Sequence, residues 1–250
     1  MLNVGACSDK GVVRQLNEDN FYIPMQMNDN SIMLFIVADG MGGHMAGEIA
    51  SKEAVDAVVD YIKENYEKEA SIARSNLINL INESILYANK QIYDKSLSDI
   101  NLNGMGTTFA IALIHNESLY IGHVGDSRIY LLRKGILYQL TRDHSYVEEL
   151  VSSGTITREE AANHPQKNII TRALGTEEIV EIDICVRKMY KSDTLILCTD
   201  GLTNMVDSET IKATVEGSDS SQEAAEKLVL YANQAGGTDN ITVIVVSKES

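Results

Sequence analysis

The alternation of apolar and polar positions divides the first part of the chain into strand-like and helix-like segments. An unbroken apolar run at 32–38 has the length of a strand. Apolar residues then recur at helical spacing over 47–66 and again over 74–93, with charged residues between them. This pattern predicts a buried strand followed by two amphipathic helices, each long enough to cover a sheet.

Four short apolar segments separated by polar turns follow the second helix. They lie at 107–114, 119–124, 128–133 and 136–140. Short strands joined by tight turns are typical of an antiparallel meander. Residues 141–175 break this rhythm with two short helical pieces, and we interpret them as a flap-like excursion from the core.

The last part of the chain again mixes strands and helices. The pattern predicts strands at 179–186, 194–198 and 241–246, an irregular or helical stretch at 202–215, and a helix at 221–234. The sequence contains no internal repeat and no low-complexity linker. We therefore predict one α+β domain over residues 1–250, with helices packed outside stacked sheets.

The charge balance narrows the possible functions. Lys and Arg number 21 against 36 Asp and Glu, so the formal net charge is −15. This sign argues against nucleic acid as the main partner, because contacts to a phosphate backbone require a basic face. Two interpretations of the acidic excess stay open: a well-solvated surface, or carboxylates gathered to hold cations.

The cysteines and the longest apolar run bear on the cellular compartment. Cys7, Cys185 and Cys198 form no CxxC pair, and one would be left over if two were bridged. This favours free thiols in a reducing cytoplasm. No apolar run approaches the ~18 residues of a membrane span. We expect a cytoplasmic protein without membrane contact, unless the chain is part of a longer, membrane-anchored one.

Four aspartates occupy the ends of apolar strands. Asp39, Asp126 and Asp200 each follow an apolar segment, and Asp239 precedes the last one. Neighbouring antiparallel strands place such ends at a common edge, so we expect these side chains to converge. Carboxylate oxygens without thiolates or clustered imidazoles suit Mg²⁺ or Mn²⁺. Taken singly, the Asp-Gly steps at 39 and 200 are also consistent with hairpin turns.

Another charged group lies near the start of the chain, in the segment RQLNEDNF that begins at Arg14. One interpretation is a surface ion pair. Beside a metal-binding carboxylate cluster, however, a guanidinium fork also matches two oxygens of a phosphate dianion. Two adjacent divalent metals would then hold a bridging hydroxide for in-line attack on phosphorus. The combination indicates phosphate-ester hydrolysis without a covalent enzyme intermediate.

Eight segments together resemble one known family, the metal-dependent type-2C serine/threonine protein phosphatases, also called the PPM family. In chain order they are RQLNEDNF from Arg14, VADGMGGHMAGEIAS from Val37, GTTFAIALI from Gly106, GHVGDSRIYLLRKG from Gly122, LTRDHS from Leu140, NIITRALG from Asn168, DTLILCTDGL from Asp193 and GTDNITVIVV from Gly237. They span nearly the whole chain. The DGMGGH form is similar to the bacterial branch, whose members oppose Hanks-type kinases.

The resemblance implies a four-layer α-β-β-α sandwich of two mainly antiparallel sheets, with a binuclear metal centre at one edge. It implies that Asp39 bridges two Mn²⁺ or Mg²⁺ ions and that the Gly40 carbonyl binds one of them. Asp200 and Asp239 would hold the first metal, and Glu18 would act on the second, partly through water.

The resemblance also implies roles for residues around this centre. Arg14 would bind the substrate phosphate, and Asp126 would hold a third metal together with Asp200. Residues 141–175 match a flap that influences substrate choice. Many eukaryotic members have histidine directly after the bridging Asp-Gly, where this chain has Met41. His44 follows three residues later, and three roles stay open for it: acid to the leaving alkoxide, orientation of water, or loop structure.

The expected function is hydrolysis of phosphoserine and phosphothreonine in proteins. The resemblance implies phosphorylated protein partners, including a cognate Ser/Thr kinase, and we expect a monomer. Two alternatives remain: a catalytically silent relative that serves as a binding module, and a phosphatase for small phosphoesters. The intact Asp39, Asp200 and Asp239 argue against the first, whereas only a comparison of substrates addresses the second.

Overall fold

Two antiparallel sheets form the centre of the molecule. The computed structural model describes residues 2–24, 32–43, 46–66 and 74–248. The strands are β1 (Leu2–Asp9), β2 (Asp19–Tyr22), β3 (Met33–Met41), β4 (Gly106–Thr107), β5 (Phe109–His115), β6 (Ser118–Val124), β7 (Arg128–Arg133), β8 (Ile136–Gln139), β9 (Asp183–Lys188), β10 (Thr194–Cys198) and β11 (Ile241–Lys248). The helices are α1 (Ala46–Asn65), α2 (Arg74–Ser98), α3 (Tyr146–Ser152), α4 (Arg158–Ala162), α5 (Asp200–Thr203), α6 (Ser208–Glu216) and α7 (Ser221–Gln234), with a 3-10 turn at Ile100–Leu102.

The sheets stack on each other and carry helices on their outer faces. The first sheet has the order β1-β11-β10-β7-β8, and the second has the order β2-β3-β5-β6-β9, with β4 paired to β3. Helices α1 and α2 cover the second sheet, whereas α5, α6 and α7 cover the first. The predicted α+β class and the four-layer α-β-β-α sandwich are confirmed.

The central strands are mainly apolar because each lies between two layers. In β5 the six residues from Phe109 to Ile114 are buried, and in β11 the six from Ile241 to Val246 are buried. Alternate side chains point to opposite faces of a strand, so one set packs between the sheets and the other against helices. Phe35 and Ile244, for example, lie in the inter-sheet core, whereas Val243 packs under the helices.

The predicted meander is wrong in one respect, because its four strands do not form one sheet. Strands β5 and β6 pair within the second sheet, and β7 and β8 pair within the first. The turn at Gly125, Asp126 and Ser127 therefore carries the chain from one sheet to the other. Residues buried on both faces give no local indication of which strand is the neighbour, so the sequence pattern does not show this crossing.

Other differences concern strand limits. The sequence pattern does not predict strands β1 and β2, because they mix polar and apolar residues and are only partly buried. Strand β9 begins at Asp183, although the pattern starts at 179, where Ile179 is exposed. By contrast, β10 and α7 begin and end where the sequence places them.

The segment 141–175, named the flap segment here, lies outside the two sheets and contains α3 and α4. Its two ends are held together, since the amide of Tyr146 donates to Ile169 O at 2.9 Å and that of Thr171 to His144 O at 2.8 Å. Among the residues that the structure describes, no helix has the length and apolar character needed to cross a membrane.

Candidate metal centre

Aspartates from both sheets meet at one edge of the sandwich. Asp19 on β2 lies directly across from Asp39 on β3, in the second sheet. Asp200 begins α5 immediately after β10, and Asp239 precedes β11, both in the first sheet. Asp126 lies in the turn that crosses between the sheets. The negative charges of the other four all act on Asp39, so the predicted convergence of Asp39, Asp126, Asp200 and Asp239 is found.

The backbone of Asp39 is fixed on both sides. Its amide donates to Thr108 Oγ1 at 3.0 Å, and its carbonyl accepts from Thr107 Oγ1 at 2.8 Å and from the Thr108 amide at 2.9 Å. The next amide, of Gly40, donates to Glu18 O at 3.1 Å. These bonds connect the end of β3 to the neighbouring segments and hold Asp39 and the Gly40 carbonyl, both predicted ligands, in place.

The N-terminal segment is held against the centre by Asn240. The Asn240 side chain donates to Lys10 O at 2.9 Å and to Leu16 O at 2.8 Å, and it accepts from the Glu18 amide at 2.8 Å. Gly11 has a φ of +80°, and a Cβ there would lie 2.2 Å from Asp239 O. A side chain would therefore push the segment away from the centre.

Burial and mutual repulsion raise the pKa values of these carboxyl groups. Desolvation is the largest cause, and neighbouring negative charges add to it, whereas hydrogen bonds from Thr242 and Thr199 oppose the rise at Asp19. The pKa of Asp19 is raised to about 7 and that of Asp126 to about 8. The pKa values of Asp39 and Asp200 also rise, in both cases chiefly through burial.

Asp19 is a residue of the centre that the sequence analysis did not select. It is 6% exposed, and its Oδ2 accepts from Thr199 Oγ1 at 2.9 Å and Thr242 Oγ1 at 2.7 Å, both from the other sheet. Its Oδ1 is buried without a hydrogen-bond partner. The apolar residues directly after it, beginning at Phe21, are the local signal of a strand that would have placed it opposite Asp39.

The donor atoms fit a hard divalent cation. Buried oxygens Glu18 Oε1, Asp19 Oδ1 and Asp200 Oδ1 have no hydrogen-bond partner. Leaving such atoms unpaired is costly unless an ion or water binds them. All of these candidate metal-ligand atoms are oxygens, which Mg²⁺ and Mn²⁺ prefer. Within the described ranges, no group of three or more acidic, cysteine or histidine side chains is already arranged around one metal position.

Glu18 lies against the beginning of α1. A Cβ on Gly47 would stand 2.6 Å from Glu18 Oε1, so glycine is needed for this close approach. Burial raises the pKa of Glu18, and the positive charge of Arg14 and the amides of Gly47 and Glu48 oppose the rise. These amides favour the ionised form, but they do not reach hydrogen-bond geometry with Oε1.

Arg14 stands at the solvent side of the centre. Its Nη2 lies 2.9 Å from Asp239 Oδ2, and its side chain is 48% exposed. The ion pair considered from the sequence joins Arg14 to acids a few residues away, whereas the structure pairs its guanidinium with Asp239, a predicted metal ligand far along the chain. His44, the other predicted catalytic residue, lies outside the described residues, whereas Met41 ends β3.

A cleft of about 760 Å³ runs from Asp126 and Asp200 to the flap segment. Its flap side carries the cationic side chains Arg142, Arg158 and Lys167. Arg142 and Arg158 both pair with Glu148 on α3. The cleft therefore joins the carboxylate cluster to a surface of opposite charge.

The flap segment is attached next to Asp126 through His144. The His144 amide donates to Gly125 O at 2.7 Å, and the Gly125 amide donates back to His144 Nδ1 at 3.1 Å. Gly125 has a φ of +104°, and a Cβ there would lie 2.7 Å from Thr108. Because Nδ1 of His144 accepts this hydrogen bond, the proton of the neutral ring is on Nε2. This Nε2 lies 3.3 Å from Asp183 Oδ2.

Comparison with known proteins decides the family. The model of the family described as protein phosphatase 2C matches residues 11–234. The chain belongs to the protein phosphatase 2C family. It is 43% identical to the serine/threonine phosphatase Stp of Listeria monocytogenes serotype 4b (strain F2365), over 97% of this chain and 94% of that protein.

Solved structures agree with this assignment to the protein phosphatase 2C family. The serine/threonine phosphatase of S. agalactiae superposes with a TM-score of 0.89 at 38% identity, over 100% of both chains. A second structure is that of the catalytic domain of the serine/threonine protein phosphatase PstP in complex with two manganese ions. It superposes with a TM-score of 0.85 at 35% identity, over 100% of this chain and 99% of that one. The predicted resemblance is confirmed, as is the prediction of a metal-dependent phosphoprotein phosphatase similar to bacterial serine/threonine phosphatases.

Proposed function

We propose that the protein hydrolyses phosphoserine and phosphothreonine in phosphoproteins at the carboxylate cluster between the sheets. One observation carries this proposal: buried carboxylate oxygens from both sheets lie together, and an exposed arginine stands beside them. Such a cluster is stable in its ionised form only when cations balance it, and the arginine adds a phosphate-binding group at its rim.

We assign the metal ligands as the resemblance predicts. Asp39 would be shared by two ions and the Gly40 carbonyl would bind one of them. Asp200 and Asp239 would hold the first ion, and Glu18 would act on the second, partly through water. When bound there, Mn²⁺ or Mg²⁺ would lower the pKa of a water molecule and so supply a nucleophile for attack on phosphorus at neutral pH.

Asp126 is assigned to a third metal shared with Asp200. Support comes from its position in the same cleft as Asp200 and from its raised pKa of about 8. An Asp126→Ala variant is expected to lose activity while retaining the two core ions. Loss of those ions, measured by metal analysis after dialysis, would refute this placement.

Arg14 is assigned to the substrate phosphate. Its guanidinium is tied to Asp239 through one nitrogen, so the planar group can turn a second N–H pair toward a phosphate dianion. Arg14→Ala should raise KM for phosphopeptides about tenfold or more, because a bidentate charged contact is lost. Arg14→Lys keeps the positive charge but lacks the planar guanidinium group, so its KM should lie between those of the wild type and the alanine variant. An unchanged KM in the alanine variant would remove this role.

His44 is assigned as the acid that protonates the leaving alkoxide, on the sequence position alone. The corresponding test compares leaving groups. His44→Asn should slow hydrolysis of phosphothreonine, whose alkoxide needs a proton, more than that of p-nitrophenyl phosphate, which leaves as a stable anion. Equal slowing of the two substrates would argue against an acid role.

Residues 1–250 are proposed to act as one monomeric catalytic domain in the cytoplasm, with the flap segment influencing substrate choice. Its targets would be phosphoproteins, including a cognate Hanks-type Ser/Thr kinase, without nucleic-acid or membrane partners. The three cysteines are free, which fits a reducing compartment. Recovery of the protein in the membrane fraction, or as a stable dimer by light scattering, would contradict this assignment.

The test of the function is phosphate release from a phosphothreonine peptide, a phosphotyrosine peptide and small phosphoesters, each with EDTA, Mg²⁺ or Mn²⁺. Metal-dependent release favouring phosphothreonine is the expected result, and Asp39→Asn should abolish it while the fold remains intact. Equal release from small phosphoesters would favour the metabolite alternative. A folded protein that releases nothing with any metal would overturn the proposal in favour of a binding module.

A further inference from the structure

A basic groove lies at the end of the sheets opposite the carboxylate cluster. It has a volume of about 720 Å³ and is bordered by the β7–β8 turn, the loop between β9 and β10, and the end of α6. Strand β10 runs from Thr194 beside this groove to Cys198, two residues before Asp200. At ~3.3 Å per residue, the groove is about 20 Å from the metal centre.

Cations are concentrated around this groove in an otherwise acidic protein. Six of the 21 Lys and Arg residues lie in it or at the adjoining strand ends: Arg133, Lys134, Arg187, Lys188, Lys191 and Lys248. The ends are in contact, since Arg133 Nη2 donates to Lys188 O at 2.7 Å and Lys248 Nζ to Met189 O at 3.3 Å. Among the described residues, the acids that line or adjoin the groove include Asp193, Glu216 and Glu117.

Most of these cations have no salt-bridge partner among the residues that the structure describes. Arg133 does have one, because its guanidinium pairs with the buried Asp193. Lys134, Arg187, Lys188 and Lys191 are exposed, and none forms a salt bridge with a residue that the structure describes. With 36 acids in the chain, four such cations at one end form a local field of opposite sign to the whole.

The floor of the groove is rigidly built. Arg133 Nε and Nη2 donate to the two Asp193 oxygens at 2.8 and 2.7 Å, and the Tyr190 amide donates to Asp193 Oδ2 at 2.6 Å. The guanidinium carbon also stands 4.7 Å from the centroid of the Tyr190 ring. Tyr190 is nevertheless 50% exposed, so a fixed aromatic surface is presented among the cations.

The turn residue Lys134 indicates that the groove has a role other than folding. It has a φ of 51° in the two-residue turn with Gly135. Asn or Gly fits this left-handed position with less strain than lysine. The local fold thus gains nothing from lysine there, whereas the groove gains an exposed charge.

We propose that the basic groove is a docking site for an acidic, Asp- or Glu-rich segment of a partner protein. Charge complementarity selects this occupant, because four exposed cations stand together here in a chain whose formal net charge is −15. A broad anionic lipid surface fits less well, since it would also face the acidic surroundings of the groove. The inference goes beyond the proposed hydrolysis, because the groove and the metal centre are at opposite ends of the sheets.

Direct binding tests the proposal without any catalytic step. The probe is a fluorescent, unphosphorylated peptide of alternating Glu and Ser, and the comparison peptide carries Gln in place of Glu. The groove variant combines Lys134→Asn, Arg187→Gln and Lys191→Gln. A matched control neutralises three exposed lysines elsewhere, Lys52→Gln, Lys63→Gln and Lys90→Gln, on α1 and α2.

The wild-type protein and the control variant should bind the Glu peptide equally by fluorescence anisotropy at low salt. The groove variant should bind about tenfold more weakly, and the Gln peptide should not bind to any of the three. Equal weakening in both variants, or no preference for Glu over Gln, would overturn the proposal. Binding of anionic vesicles without binding of the Glu peptide would likewise overturn it. Unchanged thermal unfolding of the variants shows that the fold is kept.

Discussion

At the residue scale, Asp19 shows how a single side chain joins the two sheets. One carboxylate oxygen accepts hydrogen bonds from two threonine hydroxyls of the opposite sheet, and the other is buried without a partner. The side chain is therefore held from one side and available on the other. This arrangement suits a group that binds or orients a metal ligand, since such supporting contacts tune metal affinity.

Asp19→Asn tests this role. The amide has the size of the carboxyl group but carries no negative charge, so Mn²⁺ affinity should fall about tenfold or more and turnover should fall with it. Isothermal titration calorimetry with Mn²⁺ measures the change. Asp60→Asn, an exposed position on α1, serves as the control and should leave affinity unchanged. Wild-type affinity in Asp19→Asn would show that the residue only fastens the sheets.

At the element scale, Asn240 holds the loop between β1 and β2 against the metal centre. The Asn240 side chain bonds three backbone groups of that loop and is 3% exposed. Val12 and Val13 add amide bonds to Gly237 O. The loop carries Arg14 and Glu18, so its attachment decides where a phosphate-binding group and a metal ligand lie.

Asn240→Ala should therefore affect both stability and substrate binding. Three partly buried hydrogen bonds to the loop backbone are lost, and the free energy of unfolding should fall by about 2–4 kcal/mol. KM for a phosphopeptide should rise because Arg14 is no longer held. Urea unfolding and steady-state kinetics measure the two effects. Asn76→Ala, at an exposed position on α2, should change neither, and a variant of Asn240 with wild-type stability would refute the clamp.

At the scale of the whole molecule, the buried carboxyl groups make the metal-free protein sensitive to pH. The pKa values of Asp19 and Asp126 rise from an ordinary 3.8 to about 7 and about 8. Between pH ~4 and ~8 the folded state thus binds more protons than the unfolded state. Stability from these groups is fully present below the ordinary pKa and is lost as pH rises through the raised values.

The expected result is a thermal midpoint that falls from pH 5 to pH 8 in EDTA. Mn²⁺ should raise the midpoint more at pH 8 than at pH 5, because at low pH the ions must displace protons from their ligands. Differential scanning fluorimetry over this range measures both trends. The combined Asp19→Asn and Asp126→Asn variant should flatten the fall in EDTA. Parallel curves with and without Mn²⁺ at every pH would contradict the prediction.

Local signals account for the elements that the sequence predicted well. Helix α7 has periodic apolar residues, and Ser220 caps it by accepting from the Glu223 amide, so both its ends are encoded nearby. Strand β10 is a short apolar run with polar residues on both sides. Strand β2 was missed because its residues are half polar, and its place is set by pairing with β3 and by contacts to the other sheet.

The sequence by itself determined the layered α+β class, the main helices and strands, and four strand-end aspartates that meet in one place. Hydrophobic period and residue type are local properties, so these could be read along the chain. Only the tertiary structure decided that β6 and β7 belong to different sheets, that Asp19 joins the cluster, and that cations gather at the opposite end. These features depend on contacts between residues far apart in the chain, and local patterning carries no information about them.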